Sequence, residues 1–182
     1  EDLATFVRQL PDDEPVTVIG LGSNLLVRDG GVRGTVVLLH AALNQIGFDG
    51  SRIRAEAGVA SPKVSRFAAL HDRADAEFLS GIPGTIGGAL AMNAGCYGGE
   101  TWRDVVEVEV LTRQGAFERR PPEAYVIGYR SVVSRRGADD IAASQRQRLR
   151  RAGPSLWRSA LHHAARRQDP YLPVLAGAAG LR

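Results

Sequence analysis

The sequence predicts an α+β fold, and three observations carry that expectation. Short runs rich in β-branched residues alternate with helix-like segments along the chain, the arrangement expected where helices cover a sheet. Val106, Val108 and Val110 alternate with Glu107 and Glu109, the two-residue period of a strand with one buried face. Seven glycines between Gly81 and Gly99 divide that stretch into turns and a tightly packed helix.

The elements follow in chain order. Residues 1–10 read as the end of a helix. Pro15 to Ile19 is a β-rich run that ends in Gly20-Leu21-Gly22-Ser23-Asn24, and Leu25 to Val27 is expected to continue as a strand up to the Asp29-Gly30-Gly31 turn. Val36 to Leu39 and Arg52 to Ala57 are further strand candidates. Ser61 is expected as an N-cap, with Pro62 in the first turn, of a helix that places Val64, Phe67, Ala68 and His71 on one face. A second helix is expected over roughly Ile86 to Asn93, where Gly87, Gly88, Ala89 and Ala91 leave little side-chain bulk. After the strand through Val106 to Val110, Gln114-Gly115 marks a hairpin turn and Ala116 to Arg119 returns.

Bulk properties narrow the function classes. A chain of 182 residues, 44% apolar and 24% charged, suits one soluble globular domain. No apolar run approaches the roughly 20 residues of a membrane span. Cys96 is the sole cysteine, so an internal disulfide is impossible and a reducing, cytoplasmic location is expected. The chain opens on Glu1 rather than Met, which points to absent upstream residues. The net charge of +3 hides an asymmetry: Ser144 to Arg182 holds eight Arg and one acid. Such a stretch is either a basic arm for nucleic acid or an acidic partner, or text of no selected surface. Arg outnumbers Lys 22 to 1, which points to GC-rich coding and favours the second, so nucleic acid is not an expected partner.

Two segments can carry chemistry. In Gly20-Leu21-Gly22-Ser23-Asn24 a strand runs into small residues, so backbone N–H groups can approach an anion, with Ser23 and Asn24 adding side-chain hydrogen bonds. The alternative is an ordinary capped turn. It is not the dinucleotide fingerprint, because Leu25-Leu26-Val27 reads as strand, and no Lys follows as in a P-loop. The second segment runs from Ser80 to Glu100. Pro83-Gly84 sets a turn, Thr85 can cap the helix that follows, and the glycines imply either a flat ligand against the backbone or several crowded turns. No metal site is expected: His162-His163 lacks acidic or cysteine companions, and His40 and His71 read as ordinary structural residues. Nothing around Cys96 argues for a reactive thiolate.

Taken together, the two segments resemble the UDP-N-acetylenolpyruvoylglucosamine reductases. Gly20 to Leu26 matches that family's G-x-G-S-N-x-L loop at the FAD pyrophosphate. Ile82 to Glu100 matches its I-P-G-T-[IV]-G-G-A…M-N-A-G-x-Y-G-G-E segment beside the flavin, and the match runs from about Val18 to Arg130. The resemblance implies a two-subdomain FAD-binding domain of the PCMH (vanillyl-alcohol-oxidase-like) type over residues 1–133, with its N-terminal part missing. It implies FAD contacts from Gly20, Leu21, Gly22, Ser23, Asn24 and Leu25 in the first segment. In the second they come from Ile82, Pro83, Gly84 and Thr85, then Gly87, Gly88, Asn93 and Gly95. In the family, NADPH reduces FAD, and the flavin passes a hydride to the enolpyruvyl group of UDP-N-acetylglucosamine enolpyruvate to give UDP-N-acetylmuramate for peptidoglycan. A serine donates a proton, while an arginine and a glutamate stabilise the enolate-like intermediate. Arg130 matches that arginine, and its planar fork suits a carboxylate. Tyr129 and Tyr97 are the implied substrate-binding neighbours. Ser131 follows Arg130 directly, where the family pattern places one residue between.

The resemblance is expected to stop near Val133. The family's G-S-T-F-K-N-P segment, which carries the proton-donating serine, has no counterpart in this sequence, nor has the later glutamate. Residues 134–182 are expected to be a basic tail, disordered or read out of frame after a shift between about Arg130 and Gln145, in place of the substrate-binding domain. Within it Leu156, Trp157 and Leu161 form one short apolar stripe between Gly153-Pro154 and Pro170. The expected molecule is a monomeric flavin domain of this reductase family, inactive as it stands. The alternative is a non-catalytic flavin-binding or basic interaction module.

Overall fold

Strand pairing in this chain joins residues far apart in sequence. A computed structural model describes residues 2–137 and 140–147. Its centre is a five-stranded antiparallel sheet in the order β3-β4-β11-β7-β8, where β3 is Ile46–Asp49, β4 Arg52–Ala55, β7 Val105–Thr112, β8 Phe117–Arg120 and β11 Asp140–Gln147. Helices α2 (Ser61–Leu70) and α3 (Ile86–Ala91), with the 3-10 segment Glu77–Gly81 between them, pack on one face. The pleat explains this: Ile53 and Ala55 of β4 and Val108 and Val110 of β7 point to the same side, and all four are at most 1% exposed. Burying each such valine or isoleucine contributes about 1.5–3 kcal/mol. On the other face Glu107 and Glu109 pair with arginines, Glu109 meeting Arg54 at 3.1 Å and Arg119 at 3.5 Å.

A second unit stands beside this sheet. Strands β1 (Val16–Ile19) and β2 (Thr35–Leu38) pair in parallel. Helix α1 (Asp2–Gln9) seats Ala4 and Val7 on Leu111, with Val16 and Val18 packed against the same cluster. Two small hairpins complete the described residues: β5 (Gly95–Cys96) with β6 (Gly99–Glu100), and β9 (Tyr125–Gly128) with β10 (Ser131–Ser134).

The expected α+β class holds, and several local expectations need correction. Leu25 to Val27 form no strand; the Leu25 N–H closes a turn on the Gly22 carbonyl at 3.1 Å, and Leu26 is 93% exposed. A strand needs a neighbour, and β1 finds its partner in β2 instead. Helix α2 is capped by Ala60, with no side-chain cap, and Ser61 is already helical. Its start is set by tertiary pairing: Ala60 bridges Thr85, and the Ser61 N–H donates to the Gly84 carbonyl at 2.8 Å. Helix α3 stops at Ala91, short of the expected Asn93. Asn93 takes a left-handed φ of 40°, and the Ala94 N–H returns to the Ala89 carbonyl at 2.9 Å, a glycine-like helix stop that asparagine tolerates.

Strands β3, β5, β6, β9 and β10 had no expectation attached. Strand β11 falls within the segment expected to be tail, yet it takes the middle of the sheet, paired antiparallel with both β4 and β7. The stripe at Leu156, Trp157 and Leu161 and the pair His162-His163 lie outside the described residues. Among the described residues no helix is long and apolar enough to cross a membrane.

Candidate functional site

The first glycine segment leaves β1 and turns at once. Gly22 has φ 70° with no atom within 4 Å of where a Cβ would stand. Only glycine adopts that backbone without strain. The open space on that side leaves room for a ligand to approach the main chain. Residues 21–30 are all exposed, Ser23, Asn24 and Leu25 among them.

The second segment meets the first. A Cβ on Gly20 would lie 2.3 Å from Thr85 Oγ1, and one on Gly84 would lie 3.3 Å from Ser23 Oγ. Thr85 is the N-cap of α3, its hydroxyl oxygen accepting from the Gly88 N–H at 3.4 Å, as expected of it. The Oγ1 that caps α3 is also the Thr85 atom nearest Gly20, so one side chain serves the helix and the contact between the two loops. Behind that junction lies a cavity of about 540 Å³, in the size range of small-molecule sites. Gly20, Thr85, Gly87 and Gly88 form its glycine-rich wall, and Val18, Val108, Val110, Trp102, Tyr125 and Val132 its apolar one. Gly87 is glycine for a different reason: a Cβ there would stand 3.1 Å from that of Ala57.

Not every expected cofactor residue faces that space. Ile82 is 7% exposed and belongs to the hydrophobic core. Gly95 lies in the β5–β6 hairpin, where a Cβ would meet the Gly99 carbonyl at 2.7 Å. Pro83 is exposed at the turn. Asn93 is 4% exposed and its amide is engaged by protein groups. Its Nδ2 donates to Glu100 Oε2 at 3.1 Å and to the Gly128 carbonyl at 3.2 Å, and its Oδ1 accepts from the Trp102 N–H at 3.2 Å.

Tyr129 and Arg130 form the two-residue tip of the β9–β10 hairpin. Tyr129 is 85% exposed, and the Arg130 guanidinium sits 6.0 Å from its ring centroid. They stand outside the cavity wall, to which the same hairpin contributes Val132, Val133 and Ser134. Arg130 has φ 53° and Tyr97 φ 52°, left-handed values that cost non-glycine residues about 1 kcal/mol or more and gather at functional sites. Tyr97 packs over Gly81, a Cβ on which would be 2.8 Å from its ring. Burial raises the Glu77 carboxyl above its ordinary value; Asp75 adds to this, while its own backbone hydrogen bond and Arg103 oppose it. Glu77 precedes the second segment and does not line the cavity. The apolar wall was not legible in the sequence, because its strand residues come from β1, β7, β9 and β10, which only the fold brings together.

The family model described as FAD binding domain matches residues 1–119. The chain belongs to this FAD-binding domain family. Within it, the similarity is to the UDP-N-acetylenolpyruvoylglucosamine reductases. The Nitrosospira multiformis protein of that name is 57% identical over 157 residues, covering 84% of this chain and 45% of the relative. That of Nitrosomonas eutropha is 58% identical over 137 residues, covering 72% and 41%. The chain thus spans less than half the length of these curated relatives. A match to 84% of the chain cannot fit within residues 1–133, so the similarity continues past Val133 toward β11.

Solved structures agree. UDP-N-acetylenolpyruvylglucosamine reductase from Thermus caldophilus superposes with a TM-score of 0.73 at 32% identity, covering 86% of this chain and 56% of that one. The fold extends to 6-hydroxy-D-nicotine oxidase from Arthrobacter nicotinovorans, with a TM-score of 0.59 at 23% identity over 82% of this chain and 34% of that one. That likeness concerns the fold alone. It fits the expected two-subdomain PCMH-type architecture.

Proposed function

We propose that this domain binds FAD between its two glycine segments and serves the reduction of UDP-N-acetylglucosamine enolpyruvate with NADPH. The observation that carries the reading is the junction of Gly20 with Thr85 and of Ser23 with Gly84 at the mouth of the apolar cavity. The residues present fit such a cofactor. The exposed turn at Gly22, Ser23 and Asn24 offers main-chain and side-chain donors to a pyrophosphate. The valine-lined cavity suits a flat, largely apolar ring system, and Gly88 presents no side chain at its wall. When bound, FAD supplies the hydride chemistry that amino-acid side chains lack.

This chain's own residues bind and orient. Arg130, on an exposed hairpin tip, holds a substrate carboxylate through two parallel N–H···O bonds. Tyr129 and Tyr97 are the proposed substrate-binding neighbours. The valines exclude water, which strengthens charge interactions inside the site. The 182-residue sequence has no G-S-T-F-K-N-P segment, so the proton donor of the implied reaction has no counterpart here. We further propose that the domain runs through Gln147, since β11 is internal to its sheet.

Purified chain incubated with FAD, NADPH and UDP-N-acetylglucosamine enolpyruvate tests both halves. The expected result is bound flavin without substrate-dependent NADPH oxidation. Turnover would show that the serine is dispensable, and absence of bound flavin would remove the reading altogether.

A further inference from the structure

We propose that Asn93 is the positioning residue that sets Arg130 against the flavin segment, rather than a ligand of the cofactor. This rests on the functional reading above and goes beyond it, because the asparagine itself touches neither cofactor nor substrate. The second glycine segment and the hairpin carrying Arg130 are distant in sequence, and Asn93 ties them directly. One amide hydrogen of Nδ2 reaches the Gly128 carbonyl at 3.2 Å, on the residue that precedes the Tyr129-Arg130 tip. The other reaches Glu100 Oε2 at 3.1 Å, and Oδ1 takes the Trp102 N–H at 3.2 Å. A primary amide has two donor hydrogens and one carbonyl oxygen, so both donors are committed to protein partners.

The backbone explains why asparagine stands there. Asn93 follows the Met92 C-cap of α3 and takes φ 40°, a conformation that glycine and asparagine tolerate best. Glycine would stop the helix equally well but could not reach Gly128. Arg130 is itself held at φ 53°, and a strained turn persists only where its surroundings over-determine it. The Asn93 bond is one such constraint, and it is buried, with the residue 4% exposed. Trp102 reinforces the platform by donating from Nε1 to the Leu90 carbonyl at 2.8 Å.

Two variants of the 182-residue chain separate the possibilities. Asn93→Gly removes the amide without φ strain. Asn93→Asp keeps the acceptor for Trp102, loses the donor to Gly128 and sets a second carboxylate beside Glu100. Amide hydrogen exchange across Val126 to Ser134 should quicken about tenfold in both, as expected for losing one buried hydrogen bond, while β7 is unchanged. In FAD-loaded chain the Kd for UDP-N-acetylglucosamine enolpyruvate should rise about tenfold, with FAD affinity preserved. Adding Asn93→Gly to Arg130→Lys should then weaken substrate binding no further, because the two act through one contact. Unchanged exchange in the hairpin, additive losses with Arg130→Lys, or a parallel fall in FAD affinity would each overturn the assignment. Wild-type chain that takes up no flavin would count against the functional reading alone, since hairpin exchange still decides the role of Asn93.

Discussion

Gly22 is the residue on which phosphate binding is most simply tested. Its φ of 70° and empty surroundings mean that a side chain there strains the turn but clashes with nothing in the folded domain. Gly22→Val should therefore abolish FAD retention while lowering thermal stability by only about 1–2 kcal/mol. Flavin retained as in the parent protein would exclude this loop from the site. At Arg130 the strain runs the other way. Arg130→Gly relieves a φ of 53° and should raise stability by up to about 1 kcal/mol, read as a higher Tm, while affinity for the enolpyruvyl substrate is lost. A fall in Tm would show that the guanidinium supports the fold.

Glu77 gives a pH signature at the same scale. Burial raises its folded pKa above 4.5, so the folded state holds the proton more tightly than the unfolded one. That contribution is present below the unfolded value and is lost as pH rises through the folded pKa. Glu77→Gln should accordingly stabilise the protein near neutral pH, with the advantage over wild type shrinking as pH falls through the raised folded pKa and gone below the unfolded value; a pH-independent difference would refute this. Gly22 and Arg130 were singled out from motif text, and the structure adds their positive φ values. The hydrogen bonds of Asn93 were not foreseen, because its partners Glu100, Trp102 and Gly128 are brought to it only by the fold.

Among the elements, α3 is short and rich in glycine, and it holds through its ends and two large core side chains, Ile86 and Leu90. Ile86 is 0% exposed, so Ile86→Ala should cost about 2–5 kcal/mol in chemical denaturation, with the cavity's lining residues otherwise intact. A loss below about 1 kcal/mol would mean that α3 is not anchored as described. Elements with a complete local pattern were readable: Val106 to Val110 alternates cleanly, and Thr85 caps α3 as its sequence position predicts. Those that depend on distant partners were not. Leu25 to Val27 has strand composition but no neighbour to pair with. Ser61 has cap chemistry, yet the bridge from Ala60 to Thr85 starts α2 one residue earlier than a serine cap would. Strand β11 shows the limit most clearly, since Asp140 to Gln147 lacks an apolar alternation and is strand by virtue of β4 and β7 on either side.

At the scale of the molecule, the parallel pair β1–β2 and the antiparallel sheet are joined where two glycine segments touch. The sequence showed both segments and their likeness to one reductase family. It did not show that Gly20 must be glycine to admit Thr85, or that valines from three strands enclose the space behind. Those facts are products of packing, and they bring the two turns to one cavity. The proposed occupant of this cavity is one FAD. Titration of FAD into the purified 182-residue chain, followed by flavin fluorescence and repeated with adenosine diphosphate as competitor, tests it most directly. Saturable binding of one FAD per chain is expected, weakened by adenosine diphosphate because both would place a pyrophosphate on Gly22, Ser23 and Asn24. Folded chain that leaves flavin fluorescence unchanged at every concentration, or binds FAD with no competition from adenosine diphosphate, would contradict it.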